Sequence, residues 1–176
     1  MKAFLTPLQG LAEFEQIKEK SKTNKGILQV SGCMESQKSH LMYGLSGIAP
    51  YRLILAEDER RAREIYEDYR FYDRKVYSYP AKDLLFFQAD IHGNLLIRQR
   101  MKVIKVLLEE KELTVVTSID GCMDFLESLE KIKEQLIHYE SDSTVDTEQL
   151  KNQLVALGYE RVGQVEMPGQ FSVRGG

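Results

Sequence analysis

One octapeptide, residues 32–39 with the sequence Gly-Cys-Met-Glu-Ser-Gln-Lys-Ser, closely matches a phosphate-binding loop. In the pattern G-x-x-x-x-G-K-[S/T], Gly32, Lys38 and Ser39 are in register, whereas Gln37 replaces the second glycine. In an intact loop the lysine binds phosphate oxygens and the hydroxyl binds Mg²⁺. The residue types at this spacing therefore point to nucleotide chemistry, present or lost.

Two side chains weaken the phosphate chemistry of this loop. Glycines allow backbone N–H groups to approach phosphates closely, and Gln37 adds a side chain at that approach. Glu35 adds a negative charge beside a polyanion, which opposes binding. We interpret the loop as a degenerate phosphate site. A chance Lys-Ser pair at a helix start and a working ATP site are the alternatives.

The remaining chemically active residues predict neither a metal site nor a catalytic set. The three histidines lack metal-ligand spacing, and Cys33 and Cys122 have no CxxC partner, so we expect two reduced thiols. The acidic run 57–59 could bind a metal. We assign it instead to the first turn of a helix, where the helix dipole favours negative charge.

Composition predicts a folded, soluble protein. Hydrophobic residues make up 43% of the 176 residues and charged residues 29%. The net charge of −3 disfavours nucleic-acid binding, because phosphate recognition normally needs a basic surface. A DNA-binding stripe of arginines remains a further hypothesis, formed by Arg60, Arg61, Arg63, Arg98 and Arg100. Without a signal peptide or a long apolar run, we expect a cytoplasmic protein with no membrane partner.

Hydrophobic periodicity places the loop inside an α/β body. Helices are predicted over 8–22, 36–48, 57–72 and 94–110, strands over 26–31, 51–56, 75–79 and 113–118, and an irregular segment over 81–93. Strands that alternate with helices predict a parallel sheet with helices on both faces. The continuous β-branched run at 113–118 predicts a strand covered on both sides.

After residue 118 the pattern changes to a βαββ-like arrangement. We predict helices over 123–136 and 146–157, with Asp146 as N-cap and Gly158 as C-cap, and a strand over 136–140. Strands over 160–166 and 170–174 should pair antiparallel through the turn at 167–169. The last strand has no evident closing partner, so we expect a fragment of a longer protein.

The tail carries the second distinctive motif, Leu-x-x-x-Gly-Tyr-x-Arg-Val-x-x-Val-x-x-x-Gly-x-Phe-x-x-Arg-Gly over residues 154–175. It resembles the corresponding stretch of the bacterial transcription-repair coupling factors (Mfd) and a related stretch of UvrB, the damage-verification helicase of excision repair. UvrB keeps an intact P-loop and carries a long DNA-clamping hairpin after its third strand. The degenerate loop and the short segment 81–93 therefore favour the coupling factors.

This resemblance implies a fold and a function. Residues 1–126 would form a RecA-like UvrB-homology domain with a degenerate P-loop, and 127–176 the start of an incomplete, UvrA-binding second domain. The implied function is a non-catalytic interaction module, without a cofactor of its own, that recruits UvrA to stalled RNA polymerase. A DNA translocase motor and a polymerase-binding domain would lie beyond this chain. The alternative is an active P-loop ATPase or DNA helicase fragment related to UvrB, binding ATP through Lys38 and Ser39.

The resemblance also implies partner-binding residues. Arg174 matches one of the family's UvrA-contact positions, and Arg161 and Phe171 are weaker candidates, with Phe171 also fitting a core position. An exposed arginine can form bidentate pairs with a partner's carboxylate and is common at binding hot spots. An ordinary solvated arginine, or one paired internally with Glu160 or Glu166, is the alternative.

Strand periodicity supports an outward Arg174. If the last predicted strand alternates regularly, Phe171 and Val173 point inward. Ser172 and Arg174 then point outward, where Arg174 is free to meet a partner.

Overall fold

The computed structural model describes residues 2–23, 26–82, 90–139, 141–142 and 144–174, without the side chains of residues 2 and 90–94. Its residues form two compact units, Met1–Phe125 and Leu126–Gly176. Among the described residues, no helix is both long and apolar enough to cross a membrane.

The first unit alternates helices and strands. Its elements are α1 (Thr6–Gln9), α2 (Ala12–Thr23), α3 (Glu35–Gly44), β1 (Tyr51–Ala56), α4 (Glu59–Tyr72), β2 (Val76–Tyr79), α5 (Asp90–Glu109), β3 (Leu113–Ser118) and α6 (Ile119–Met123), with short 3-10 turns at Lys2–Phe4 and Ser46–Ile48. The second unit contains α7 (Leu129–Glu134), α8 (Thr147–Ala156), β4 (Glu160–Arg161) and β5 (Gln170–Phe171).

The first unit contains a parallel sheet of order β1-β3-β2. Leu53 and Tyr77 lie on either side of Val115 in the register. All six residues of the central strand β3 are buried, as its continuous β-branched run predicted. The predicted α/β class with a parallel sheet flanked by helices is thus confirmed.

Helices cover the two faces of this sheet unequally. On one face, Ala62, Ile65 and Tyr69 of α4 pack against β-strand residues that include Ala56 and Val116. These three residues therefore form the inward face of α4. This layer holds α3 and α4 against the carboxyl end of β1, beside the degenerate loop.

The opposite face is covered over β2 and β3. Val103 of α5 packs with Leu113 and Val115, with Tyr77 and Tyr79 at the margin of the cluster. The described members of this cluster include none from β1. Leu53 is accordingly 62% exposed, although its register neighbour Val115 is only 8% exposed.

The predicted strand at 26–31 is wrong. This segment is irregular and forms no ladder with β1, and Ile27 is 97% exposed. Its apolar residues satisfied the pattern of a buried strand, but a strand also needs a hydrogen-bonding neighbour, which local sequence does not report.

Several predicted helices in the first unit have different limits. The helix predicted over 8–22 is divided into α1 and α2 around Gly10 and Leu11, and the one over 36–48 ends at Gly44 before a 3-10 turn. Of the segment predicted to be irregular, residues 90–93 are helical, whereas 83–89 lie outside the described residues.

Only some of the elements predicted after residue 118 agree with the structure. The single helix over 123–136 is wrong, because α6 ends at Met123 and α7 starts only at Leu129. Residues 136–139 form no strand, and residue 140 lies outside the described residues. The caps of α8 are confirmed, since the Asp146 carboxylate accepts two backbone N–H bonds, of 2.9 and 3.1 Å, and Gly158 has φ +85°.

The predicted antiparallel pairing in the tail is also wrong. Strands β4 and β5 are two residues each and run parallel. The N–H of Glu160 donates to Gly169 O at 2.8 Å, and the N–H of Val162 donates to Phe171 O at 2.9 Å. The connection over 162–169 forms a wide loop rather than a tight hairpin, so β5 returns alongside β4 in the same direction.

Candidate functional site

The degenerate loop joins an irregular segment to α3. Gly32 has φ +83°, the left-handed conformation that favours glycine. Because α3 begins at Glu35, Gln37, Lys38 and Ser39 all lie in its first two turns. The predicted loop-to-helix placement is confirmed, but the strand that should precede it is missing from residues 26–31.

Gln37 uses a backbone donor that an intact loop would offer to phosphate. Its side-chain Oε1 accepts the Met34 N–H at 3.1 Å, and its own N–H donates to Met34 O at 2.9 Å. This reciprocal cap stabilises the start of α3. The substitution for glycine therefore both adds bulk and occupies an N–H group.

Ser39 does not present its hydroxyl to the surface. The residue is 3% exposed. In an intact phosphate loop this hydroxyl would bind the metal that accompanies the nucleotide. The geometry at Ser39 therefore differs from that of a metal-binding serine.

Lys38 is paired with a carboxylate from the loop itself. Its Nζ donates to Glu35 Oε1, and the second carboxylate oxygen of Glu35 accepts from Arg61 of α4. The hydrogen bond from Lys38 is the main cause that lowers the pKa of Glu35, and Arg61 adds to the effect. One carboxylate thus neutralises cations from two helices.

These residues surround a cleft of about 730 Å³. Its wall combines apolar side chains, among them Leu41 and Ile54, with the charged groups of Lys38 and Arg61. Cys33 also lines it and is a free thiol. The cleft has the size of a small-ligand site, but its cations are already paired.

The acidic run at 57–59 has a structural role in this geometry. Asp58 caps α4, accepting the Arg61 N–H at 2.6 Å, as predicted for an acidic residue at a helix start. The Glu59 carboxylate accepts the Ala81 N–H at 3.0 Å and the Ser118 hydroxyl, joining the ends of β2 and β3. The described residues contain no group of three or more potential ligands that could hold a metal ion.

Three of the five arginines in the proposed stripe form ion pairs with other described residues. Arg60 pairs with Glu64 at 2.6 Å. Arg100 is buried, pairs with Asp124 at 3.0 Å and lies over the Tyr79 ring at 4.1 Å. Such internal pairing reduces the positive potential available for DNA phosphates.

The second unit places its candidate residues in different environments. Arg174 is exposed beyond the end of β5 and forms no ion pair with any residue the structure describes. Arg161 is exposed on β4, and its register partner Phe171 is buried. The alternative that Arg174 pairs with Glu160 or Glu166 is therefore not seen.

The predicted alternation along 170–174 holds only in part. Phe171 is buried as expected, but Val173 is 44% exposed. Because β5 ends at Phe171, no ladder maintains a two-residue period beyond it. Ser172 instead donates its hydroxyl to Gly163 O at 3.0 Å, which holds the segment before Arg174 against the connecting loop.

The second unit contains a segment that matches a known protein family. Residues 137–176 match the UvrB interaction domain family. The transcription-repair-coupling factor of Bacillus subtilis (strain 168) is 28% identical over 162 residues, covering 84% of this chain. This chain is related to the transcription-repair-coupling factors.

Other coupling factors match a shorter part of the chain. Those of Staphylococcus haemolyticus and Staphylococcus aureus are 28% and 26% identical over 102 residues, or 58% of this chain. The chain spans only 14% of the B. subtilis coupling factor and 9% of the other two. Arg161, Phe171 and Arg174 all lie inside the segment that matches the interaction domain.

Sequence reasoning missed the contact between Glu35 and Arg61. The two residues are separated by 26 positions and lie on helices flanking β1, so no motif spacing connects them. The available signal was topological, since consecutive helices of a parallel α/β unit can pack on the same face of the sheet. The sequence indicates Arg61 only as part of a possible DNA-binding stripe.

Proposed function

We propose that this chain is a non-catalytic protein-interaction module of a transcription-repair coupling factor, which recruits UvrA of nucleotide excision repair to stalled RNA polymerase. The match of residues 137–176 to the UvrB interaction domain carries the proposal. The similarity to a coupling factor over most of the chain supports a role in transcription-coupled repair.

Arg174 is the residue best suited to contact the partner. Its guanidinium is exposed, and it is not paired within the described part of the chain. A free guanidinium presents a planar set of N–H donors that fits a carboxylate in a bidentate pair. We therefore propose an acidic patch on UvrA as its counterpart, with Arg161 as a secondary contact.

Phe171 has a supporting role in this proposal. Its ring is buried within the described structure, so it is not exposed to a partner here. We propose that Phe171 fixes the end of β5 and thereby the position from which Arg174 extends. Contact with RNA polymerase and DNA, and ATP-driven translocation, belong in this proposal to parts of the coupling factor outside this chain.

The test is UvrA binding by the complete coupling factor that carries this module, as wild type and as Arg174→Glu. Charge reversal should weaken binding by about tenfold or more, because an attractive pair becomes a repulsive one and each 1.4 kcal/mol is a factor of ten. Arg74→Glu, an exposed arginine of the first unit, is the matched control and should bind as wild type does.

Calorimetry measures both affinities, and circular dichroism verifies the fold of each variant. Equal affinities for wild type and Arg174→Glu would remove Arg174 from the interface. No binding by the well-folded wild type would refute the recruitment of UvrA itself.

A further inference from the structure

Glu35 is engaged by cations on both sides of the cleft. Its Oε1 accepts from Lys38 on the same helix, and its Oε2 accepts from Arg61 on α4. Both carboxylate oxygens are thus used, although the side chain is 63% exposed. A carboxylate held in this way occupies the place of an external anion between two cationic groups.

Arg61 makes the arrangement more than a pairing within one helix. The Glu35–Lys38 contact has the i,i+3 spacing common on helix surfaces and contributes little by itself. The Arg61 side chain is only 22% exposed and also pairs with Glu64 at 3.0 Å, which holds its guanidinium at the cleft. The cation set therefore spans α3 and α4.

We propose that Glu35 is an autoinhibitory anion that keeps a latent polyphosphate site closed. Lys38 and Arg61 would bind a di- or triphosphate in this cleft, and the Glu35 carboxylate, held beside both groups, competes with it for them. The cleft of about 730 Å³ has room for such a ligand. This inference concerns the first unit and is independent of UvrA docking by the second.

The test is titration of inorganic tripolyphosphate into this chain as wild type and as Glu35→Gln. The amide removes the charge with little change in shape. We expect Glu35→Gln to bind tripolyphosphate about tenfold tighter than wild type, or more. The gain should disappear in the double variant Glu35→Gln with Lys38→Ala, because the freed ammonium is then lost.

Glu67→Gln is the matched control for net charge. Glu67 lies on α4 and pairs with Arg70 at 3.2 Å, and neither residue lines the cleft. The control should bind tripolyphosphate no better than wild type. An equal gain in Glu67→Gln would show that overall charge, not the removal of Glu35, raises the affinity, and would overturn the proposal.

A second variant, Glu35→Ala, protects the test against failure of one protein to fold. Because Glu35 is largely exposed, both variants should keep the helical circular dichroism of wild type. If a folded Glu35 variant binds tripolyphosphate no tighter than wild type, the carboxylate only stabilises the start of α3 and the proposal is wrong. Neither result would test the proposed docking of UvrA, which concerns the second unit.

Discussion

Single side chains determine how far the loop departs from a phosphate site. Gln37 occupies the Met34 N–H, Glu35 pairs with Lys38, and Ser39 is buried. Each change acts on a different part of phosphate recognition: the backbone donors, the cation and the hydroxyl. The two departures read from the sequence, at Gln37 and Glu35, therefore each have a physical counterpart, and the burial of Ser39 is a third that the sequence did not indicate.

Tyr69 is one residue at which alkaline pH should affect stability, and burial raises the pKa of Tyr79 in the same direction. Burial is the main cause that raises the pKa of its phenol above the ordinary value of 10.0, although the Thr114 hydroxyl donates to it at 3.4 Å. Because the pKa is higher in the folded state than in the unfolded chain, the contribution of the neutral phenol to stability is fully present below about pH 10. It is lost as the pH rises through that value towards the folded-state pKa.

We therefore expect Tyr69→Phe to flatten the alkaline decline of the free energy of unfolding. Urea denaturation at a series of pH values from about 8 to 11 measures it, since these values bracket the ordinary tyrosine pKa. Tyr51→Phe, at an exposed tyrosine, is the control and should decline as wild type does. An alkaline slope that is unchanged in Tyr69→Phe would contradict the assignment.

At the scale of elements, the order of strands determines which apolar residues are core. The sequence predicts both β1 and β3 as strands, but β3 is central and β1 lies at an edge of the described sheet. Helix α5 packs over β2 and β3, leaving Tyr51, Leu53 and Leu55 exposed. Apolar residues in two predicted strands thus contribute differently to the buried core.

Two leucines on the same sheet face provide a matched comparison. Leu113→Ala should destabilise the protein by about 2–5 kcal/mol, because it removes a side chain that is 1% exposed and leaves a cavity. Leu53→Ala should change stability by only about 0.5 kcal/mol, as for an ordinary surface substitution.

Denaturant unfolding of both variants measures the difference. A large cost for Leu53→Ala would mean that β1 is covered on this face when the protein is in solution. Similar small costs for both would mean that β3 is not the centre of the core.

At the scale of the whole molecule, the apolar core is concentrated in the first unit. Both hydrophobic clusters consist of residues up to Val116. In the described part of the second unit, Phe171 is the one hydrophobic residue that is buried. A short unit with so little buried apolar surface should be marginally stable by itself.

Hydrogen exchange should therefore separate the two units. Backbone amides of β3 should exchange on the order of 100-fold more slowly than those of α7 and α8, because they open only when the main core unfolds. Mass spectrometry of peptic fragments, with the unfolded chain as reference, measures the protection. Equal protection in both units would contradict a marginal second unit.

The sequence predicted most of the first unit because its signals are local. The limits of 51–56 and 113–118 were predicted as the structure has them, and those of 75–79 within one residue. Burial of consecutive β-branched residues is visible in the chain itself. The tail was predicted less well, since two-residue strands carry almost no periodicity and their direction depends on the connecting loop.

The candidate site residues also differ in how much of their prediction the structure tests. Spacing alone identified Gly32, Gln37, Lys38 and Ser39. The structure places the last three in the first two turns of α3 and Gly32 in the loop before it. The binding roles of Arg161, Phe171 and Arg174 stay predictions, since no partner surface is present to test them.

The sequence by itself determined the alternation of helices and strands, the degenerate loop and the relationship of the tail, because each depends on neighbouring residues. Only the tertiary structure decided that residues 26–31 form no strand, that one face of β1 is exposed, and that Arg61 reaches Glu35. These features depend on contacts between segments distant in the chain, and local patterns contain no information on which segments meet.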